Sequence, residues 1–351
     1  MEAPFERVAE MTTHSLTSRR LEFADDAAAM EYYAEQGWTD GLPVVPPTPE
    51  RVARFLGHAG RPASAIVGTE PTKGRVITAE KVAINAVMAG CLPEYLPLIL
   101  ATVEAICEPK FNLHAVSVST MGAAVLTVVN GPVVGELGLR SGVDLFGPGN
   151  RANATIGRAI RLVITNATGA VSGELDKAAI GHAGKYTWCF AEAEDASPWP
   201  SLHEEKGLSE FQSAVTVYPG LSPIQVNPPQ TADPELILSS FADALFTTGP
   251  AQDDLVVVMS LETVGHLKAA GWSKDRVKEA LYRAGRRPAS EWAKVGSEVA
   301  EQDSDALVGA LNTPESVTVI VAGGEAGGGC AIIQLWGGGS NSKPVTREVK
   351  F

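Results

Sequence analysis

The stretch Leu255-Val-Val-Val-Met259 decides the fold class. A short apolar run rich in β-branched residues is typical of a strand that is buried on both faces. Similar runs stand before and after it, at Ala214-Val-Thr-Val-Tyr218 and Val317-Thr-Val-Ile-Val321. Helical patterns separate these runs, near residues 234–246, 261–270, 274–284 and 303–311. The alternation of strands and helices predicts an α/β layer with crossover helices.

The first half of the chain predicts a second α/β part. It holds helical patterns over residues 24–36 and 79–90, β-rich runs at 114–119 and 123–129, and a long irregular segment at 169–207. We therefore expect two α/β layer parts with mixed or parallel sheets and a ligand cleft between them. The expected divisions are an N-terminal arm at 1–23 that could be mobile, an N-terminal domain at 24–207 and a C-terminal domain at 208–351. No repeat of fixed period is evident, although Gly-Trp-Thr at 37–39 and Gly-Trp-Ser at 271–273 each precede a helix start.

Composition excludes several classes of function. The 351-residue chain has a net charge of −13, which argues against a surface for nucleic acid or an anionic membrane. Its four cysteines are widely spaced and lack the pattern of a zinc module, so reduced thiols are expected. Residues 1–20 lack the pattern of a signal peptide, and prolines and glutamates interrupt the most apolar segment, 91–107. We expect a soluble cytoplasmic protein with no membrane or nucleic-acid partner, and oligomerisation is left open.

The segment Gly37-Trp-Thr-Asp-Gly-Leu-Pro-Val-Val-Pro-Pro-Thr-Pro-Glu50 predicts a rigid connector. Its prolines fix φ and remove N–H donors, which excludes a central strand. Thr48 has the position of an N-cap, with a proline and an acid in the first turn that follows. Asp40 before a glycine is typical of a turn, and Trp38 is expected to pack. We expect an ordered strut whose tip reaches the edge of a cleft.

The segment Phe146-Gly-Pro-Gly-Asn-Arg-Ala-Asn-Ala-Thr-Ile-Gly-Arg158 predicts an anion site. If the helix begins near residue 152, two arginines and a threonine share one stripe beside a glycine loop and a helix N-terminus. Guanidiniums and backbone amides in that arrangement suit a carboxylate or phosphate. The residues expected to bind the substrate here are Arg151, Asn153, Thr155 and Arg158. The alternative is a solvated or salt-bridged basic face.

The run from Gly181 to Glu205 gathers the candidate catalytic residues. They are Cys189, His182, Lys185 and Glu192. A thiol near a lysine is a plausible nucleophile, because a neighbouring cation favours the thiolate. The alternative is a small buried hydrophobe among aromatic residues. No cofactor is predicted; a divalent metal on histidines and acids is a further alternative, although no HxH or HxxxH spacing supports it.

A glycine-rich loop follows the strand predicted at 317–321. Such a loop lies where open α/β sheets bind ligands, and its bare amides can hold an anion. It matches neither the P-loop nor the dinucleotide fingerprint, and a flexible turn is the alternative. The residues expected to form a wall of the site are Gly327, Gly328, Gly329 and Cys330.

Several motifs together resemble an uncharacterised bacterial family associated with small (seleno)proteins that carry a UGSC or CGSC motif. They include GWTDGLPVVPPT, NAVMAGCLPEYLP, FGPGNRANATIGRAIRL, GHAGKYTWCFAEAEDASPWPSLHEEKG and GGGSNSKPVTRE. The resemblance covers the chain from about residue 30 onward and carries no established reaction with it. It implies thiol or selenol chemistry, with this chain as the substrate-binding or partner subunit of a redox protein.

The sequence thus favours a cytosolic enzyme that acts on a small anionic substrate bearing a carboxylate or phosphate. The expected chemistry is lyase-like or hydrolytic cleavage of a carbon–heteroatom bond by the thiol of Cys189. Two alternatives stay open. One is a non-catalytic binding or partner subunit of a thiol or selenol redox system, and the other is a two-cysteine proton-exchange or redox site in which Cys189 faces Cys330.

Overall fold

The structure is a computed structural model that describes residues 16–299, 303–339 and 341–350. The helices are α1 (Asp26–Glu35), α2 (Pro49–His58), α3 (Ala79–Ala89), α4 (Leu96–Ile106), α5 (Leu113–Val118), α6 (Val133–Leu137), α7 (Arg151–Thr168), α8 (Leu202–Glu205), α9 (Pro234–Ser239), α10 (Ala242–Thr247), α11 (Leu261–Ala269), α12 (Lys274–Ala284) and α13 (Ala289–Lys294). The strands are β1 (Ile66–Glu70), β2 (Arg75–Thr78), β3 (Ala124–Asn130), β4 (Cys189–Ala191), β5 (Ala214–Gly220), β6 (Ile224–Val226), β7 (Leu255–Met259), β8 (Arg286–Pro288), β9 (Leu307–Gly309), β10 (Val317–Val321), β11 (Cys330–Gln334) and β12 (Val345–Glu348).

The first large sheet has the strand order β12-β5-β3-β4. β3 and β4 run parallel, while β5 is antiparallel to β3 and β12 is antiparallel to β5. One face of this sheet packs against α3, α4 and α7, and alternate residues such as Val215 and Val217 point into that core. This period-two alternation is what a sheet with two differently packed faces requires.

The second large sheet has the order β10-β7-β11-β6. β10 and β7 run parallel, and β11 is antiparallel to both β7 and β6. Its outer face packs against α9 to α12 through Val257, Val319 and Ile332. The α/β class expected from the three β-branched runs is confirmed, because those runs form β5, β7 and β10.

The two sheets pack face to face. Leu126, Phe190 and Tyr218 of the first sheet meet Val256 and Ile333 of the second in one apolar cluster. The layers are therefore helices, sheet, sheet and helices. The expectation of a ligand cleft between two α/β parts is corrected here, because apolar side chains from both sheets fill the space that the cleft would need.

The two sheets have the same arrangement of parallel and antiparallel strands, and the last strand of each comes from the part of the chain that forms the other sheet. Each has a parallel pair at one edge followed by two antiparallel strands. β6 follows β5 along the chain but joins the second sheet, whereas β12 follows β11 and joins the first. The expected boundary at residue 207 is corrected accordingly: β5 belongs to the first sheet although it lies beyond that boundary.

A matching repeat is visible in the sequence once the fold is known. Thr48 caps α2 and Ser273 caps α12, each through its hydroxyl to the backbone N–H three residues later. Both helices contain the pattern Arg-Val and are followed by Arg-Pro-Ala-Ser, at 61–64 and 287–290. The repeat has no fixed period, because insertions of different length separate the matching segments.

Two local predictions are also wrong. The run at 114–119, read as a strand, forms α5, which buries Leu113 and Val116 on one helical face. Part of the helix expected at 303–311 is β9, which pairs with β8. Short apolar runs do not distinguish buried helix from buried strand. Among the helices that the structure describes, none is long and apolar enough to span a membrane.

Candidate ligand-binding site

The site begins with a cavity between residues 16–25, which we call the arm, and helices α1, α2 and α3. Residues 1–15 of the N-terminal arm expected at 1–23 lie outside the described residues. Its volume is about 660 Å³, and apolar residues such as Met88 and Ile84 form its floor. Pro46 and Pro47 form one side. Cavities that bind drug-sized molecules occupy roughly 300–1,000 Å³ and are mostly apolar with a few polar groups. The arm cavity fits that description in both size and lining.

A buried carboxylate holds the arm over the cavity. Glu80 is 2% exposed. It accepts hydrogen bonds from the backbone N–H of Thr17 at 3.0 Å, from the Thr17 hydroxyl at 2.9 Å and from the N–H of Ser18 at 2.9 Å. Burial raises the pKa of Glu80, but the hydrogen bonds from Thr17 and Ser18 outweigh it and hold the pKa below its usual value. We call this contact the Glu80 latch.

Aromatic residues form the wall beside the arm. The rings of Phe23, Tyr32, Tyr33 and Trp38 lie against one another, with centroid distances from 5.3 to 6.4 Å. Tyr33 and Trp38 face the cavity. The wall forms because Gly37, which follows the C-cap of α1, has a φ of 68° that turns the chain and lets the Trp38 N–H donate to the carbonyl of Tyr33.

An ion pair fixes the loop that carries Trp38. The Arg158 guanidinium donates to Asp40 through Nε at 2.7 Å and Nη2 at 2.8 Å, and Nη2 also donates to the carbonyl of Pro43 at 2.8 Å. The amide of Asn166 donates to the Trp38 carbonyl at 3.0 Å. Helix α7 therefore holds this loop in place through Arg158 and Asn166. The prediction of an ordered strut agrees with this geometry.

One cation lies on the aromatic wall. The Cζ atom of Arg19 is 6.0 Å from the centroid of the Trp38 ring, within the range of a cation–π contact. Arg19 forms no ion pair or hydrogen bond with the residues that the structure describes. A guanidinium on an otherwise apolar wall can bind a carboxylate, a sulfonate or a phosphate.

The anion site expected on α7 is not formed. Arg158 is paired with Asp40, and Arg151 donates twice to the carbonyl of Gly90, at 3.1 and 2.9 Å. The side-chain amide of Asn153 bonds both backbone groups of Arg140, at 2.9 and 3.0 Å. The Thr155 hydroxyl donates to the carbonyl one turn earlier. The correction has a simple cause, since groups of the chain itself take the donors that were expected to hold an anion.

Cys189 is a core residue. It lies on β4, is 5% exposed, and faces the helices of the first sheet. Burial raises the pKa of its thiol. Lys185, expected to activate it, instead bonds both carboxylate oxygens of Asp176, at 2.9 and 2.7 Å. The proposed activation of Cys189 by Lys185 is therefore corrected, because the cation is bound elsewhere and the thiol is held as the neutral form.

His182 lies outside the apolar core that contains Cys189. Its ring contacts that of Trp188 at 5.1 Å, and Nδ1 accepts from the N–H of Gly184. Burial lowers the pKa of His182. Its Nε2 is buried.

Glu192 is the expected catalytic residue with the most unusual surroundings. It is 2% exposed, and its Oε2 accepts from the side-chain amide of Asn130 and the N–H of Leu202, each at 2.7 Å. Oε1 has no partner among the described residues. Burial raises the pKa of Glu192. The same Asn130 amide also donates to Glu194 at 2.7 Å. This cluster lies where the carboxyl ends of β3 and β4 meet.

The glycine-rich loop packs on the start of α11. Gly327 and Gly328 have φ values of 91° and 60°, which only glycine adopts readily, and Gly329 leads into β11. The Cys330 thiol donates to the carbonyl of Gly328 at 3.3 Å and approaches the hydroxyl of Thr263 at 3.5 Å. Burial raises the pKa of Cys330.

The two-cysteine site is not formed either. Cys189 belongs to the core on the outer face of the first sheet, and Cys330 belongs to the core on the outer face of the second. Both sheets and the apolar cluster between them separate the two thiols. Within the described residues, no group of three or more histidines, cysteines, aspartates and glutamates is arranged to hold a metal ion.

The sequence did not predict that the arm, Glu80 and Ile84 line a site. The available signal was weak: the arm has no regular pattern, and Glu80 reads as an acid in the first turn of a helix. Comparison with family models, with curated proteins and with solved structures gave no match to this chain. The geometry of the site is therefore the basis for any statement about function.

Proposed function

We propose that this protein binds a small organic molecule in the arm cavity. Binding is the step that an enzyme and a binding subunit share, and the proposal concerns that step. It replaces the thiol-based site with one built by the arm, α1, α2 and α3. The observation that carries it is a cavity of about 660 Å³ lined mostly by apolar groups.

The construction of the cavity supports the proposal. The chain places a buried glutamate, an ion pair and a proline-rich strut around this space, through Glu80, Arg158 and the segment 43–49. Tyr33 and Trp38 supply flat surfaces with a polar edge, which are the surfaces that small ligands use most. A space of this kind is consistent with a ligand whose body is apolar or aromatic.

The test uses a neutral fluorescent probe, N-phenyl-1-naphthylamine, and a variant that fills the cavity. Ile84→Trp adds a large side chain at the floor, and we expect it to weaken probe binding about tenfold or more. Leu236→Trp is the matched control, because Leu236 is 54% exposed on α9 and lies outside the lining. Its affinity should equal that of the unmodified protein.

Thermal unfolding establishes that each variant is folded, and Ile84→Phe replaces Ile84→Trp if the larger side chain prevents folding. Saturable binding that both cavity variants weaken and Leu236→Trp leaves unchanged supports the proposal. Equal binding by all variants, or no binding by the unmodified protein, would refute it.

A further inference from the structure

We infer that the ligand of the arm cavity is an organic anion, with its charged group bound by Arg19 and its apolar body packed on Tyr33 and Trp38. This inference rests on the proposed function, because it names the chemical class of molecule that the same cavity takes.

The cavity lining contains Arg19 and Arg20, and Arg19 has no counter-ion among the residues that the structure describes. Its guanidinium lies over the Trp38 ring and pairs with none of the residues in the described ranges. A guanidinium presents several N–H donors in a planar fork that matches a carboxylate or sulfonate. Arg19 is exposed and its Cζ atom lies 6.0 Å from the centroid of the Trp38 ring, so its N–H groups can reach a ligand at the cavity edge.

The lining acids are occupied or solvated. Glu80 is saturated by Thr17 and Ser18. Asp25 accepts from the N–H of Ala28 as the N-cap of α1. The two acids left are Asp26, which lies 4.0 Å from Arg51, and Glu22, which is exposed to solvent. Among the lining charges, the guanidinium of Arg19 is the one that lies over the Trp38 ring.

A cationic ligand is the rival class, since aromatic rings with acids nearby can bind an ammonium group. The Arg19 guanidinium already lies 6.0 Å from the centroid of the Trp38 ring, so an organic cation on that ring would lie close to it. Like charges would also repel at that short range. The geometry thus favours an anion over a cation at this wall.

The arm carries both the guanidinium that would bind the anion and the residues that bind Glu80. Arg19 follows directly after Thr17 and Ser18, the two residues that bind Glu80. The position of the guanidinium therefore depends on the Glu80 latch. An anion bound between Arg19 and the wall would in turn hold the arm closed.

Two probes of the same shape isolate the charge. 8-Anilinonaphthalene-1-sulfonate is N-phenyl-1-naphthylamine with one added sulfonate. We expect Arg19→Ala to weaken binding of the sulfonate about tenfold or more and to leave the neutral probe unchanged. Arg19→Lys keeps the charge but lacks the planar fork. Its affinity for the sulfonate should therefore lie between that of Arg19→Ala and that of the unmodified protein. Arg54→Ala removes an exposed arginine of α2 outside the lining and should change neither probe.

The outcomes separate the two proposals. If Ile84→Trp abolishes binding of the neutral probe but Arg19→Ala affects both probes equally or neither, the cavity binds ligands and the inference about charge is wrong. Displacement of the neutral probe by tetrabutylammonium but not by the sulfonate would identify a cation site and also overturn it. If Ile84→Trp leaves both probes bound as before, the proposed function itself fails. Selective loss of the sulfonate in Arg19→Ala supports the inference.

Discussion

Arg158 and Asp40 form a bidentate ion pair that joins α7 to the loop of Trp38, at 2.7 and 2.8 Å. Both side chains are largely buried, with 16% and 7% exposed. The pair turns a predicted substrate-binding arginine into a structural clamp on the wall of the cavity. The position of Trp38 therefore depends on a residue more than one hundred positions away in the chain.

Replacement of Arg158 should loosen this clamp. Arg158→Ala leaves Asp40 buried without its partner and removes the donor to Pro43, so we expect a loss of about 2–4 kcal/mol in the free energy of unfolding. Urea denaturation measures it, with Arg54→Ala as the surface control. A loss no larger than that of the control would show that the pair contributes nothing.

The Glu80 latch should depend on pH. Burial raises the pKa of Glu80, but the hydrogen bonds lower it further than burial raises it, so the folded protein binds the proton less readily than the unfolded chain. The stabilisation is therefore complete above the usual pKa of 4.5 and is lost as the pH falls through the lower pKa of the folded state.

Hydrogen exchange at the amides of Thr17 and Ser18, corrected for intrinsic rates, reports on the latch. We expect protection to decrease at acidic pH in the unmodified protein and to be low and insensitive to pH in Glu80→Ala. Equal protection of both amides in the two proteins at neutral pH would contradict the latch.

Glu192 should destabilise the protein at neutral pH. Burial raises its pKa, so the folded state holds the proton more tightly than the unfolded chain, and stability falls as the pH rises above the usual pKa until the raised one is passed. Glu192→Gln keeps the shape and removes this titration. Its advantage in Tm over the unmodified protein should grow between pH 4.5 and neutral pH. A variant that is less stable throughout this range would indicate that the ionised carboxylate is required.

Gly157 should tolerate no side chain. It lies where α7 crosses β4, and an added Cβ would stand 2.6 Å from the backbone nitrogen of Trp188. We expect Gly157→Ala to cost about 1–3 kcal/mol, because the helix or strand must shift. Gly135→Ala is the matched control, since an added Cβ at that position in α6 has no neighbour within 4 Å. The same cost in both variants would refute the close approach.

Cys189 should be dispensable for binding. Its thiol is buried in the core of the first sheet, and burial raises its pKa, so alkylation of the folded protein should be slow. Cys189→Ala should retain the affinity for N-phenyl-1-naphthylamine. Mass spectrometry after mild oxidation should find no bond between Cys189 and Cys330. Rapid labelling of Cys189, or loss of binding in the variant, would restore the thiol to the site.

The sequence predicted β5, β7 and β10, because they are continuous β-branched runs whose burial leaves a local pattern, but it did not predict the other strands of the second half. It also predicted the N-cap of α2 at Thr48, which depends only on neighbouring residues. The exchange of β6 and β12 left no such pattern. β12 pairs with β5 across more than one hundred residues, and local periodicity carries no information on the choice of partner.

The candidate site was predicted less well for the same physical reason. The donors of Arg151 and Arg158 looked available because their acceptors, Gly90 and Asp40, lie far away in sequence. Lys185 looked like a partner of Cys189 because the two are close in the chain, yet its ammonium turns to Asp176. Trp38 was expected at the edge of a cleft between two α/β parts, and it instead lines the arm cavity.

A crystal structure of the protein with N-phenyl-1-naphthylamine would show directly whether the arm cavity binds a small molecule. We expect electron density for the probe between the arm and helices α1 to α3, in contact with Trp38 and Ile84. Density for the probe at another place on the protein, with the arm cavity free of it, would contradict the account.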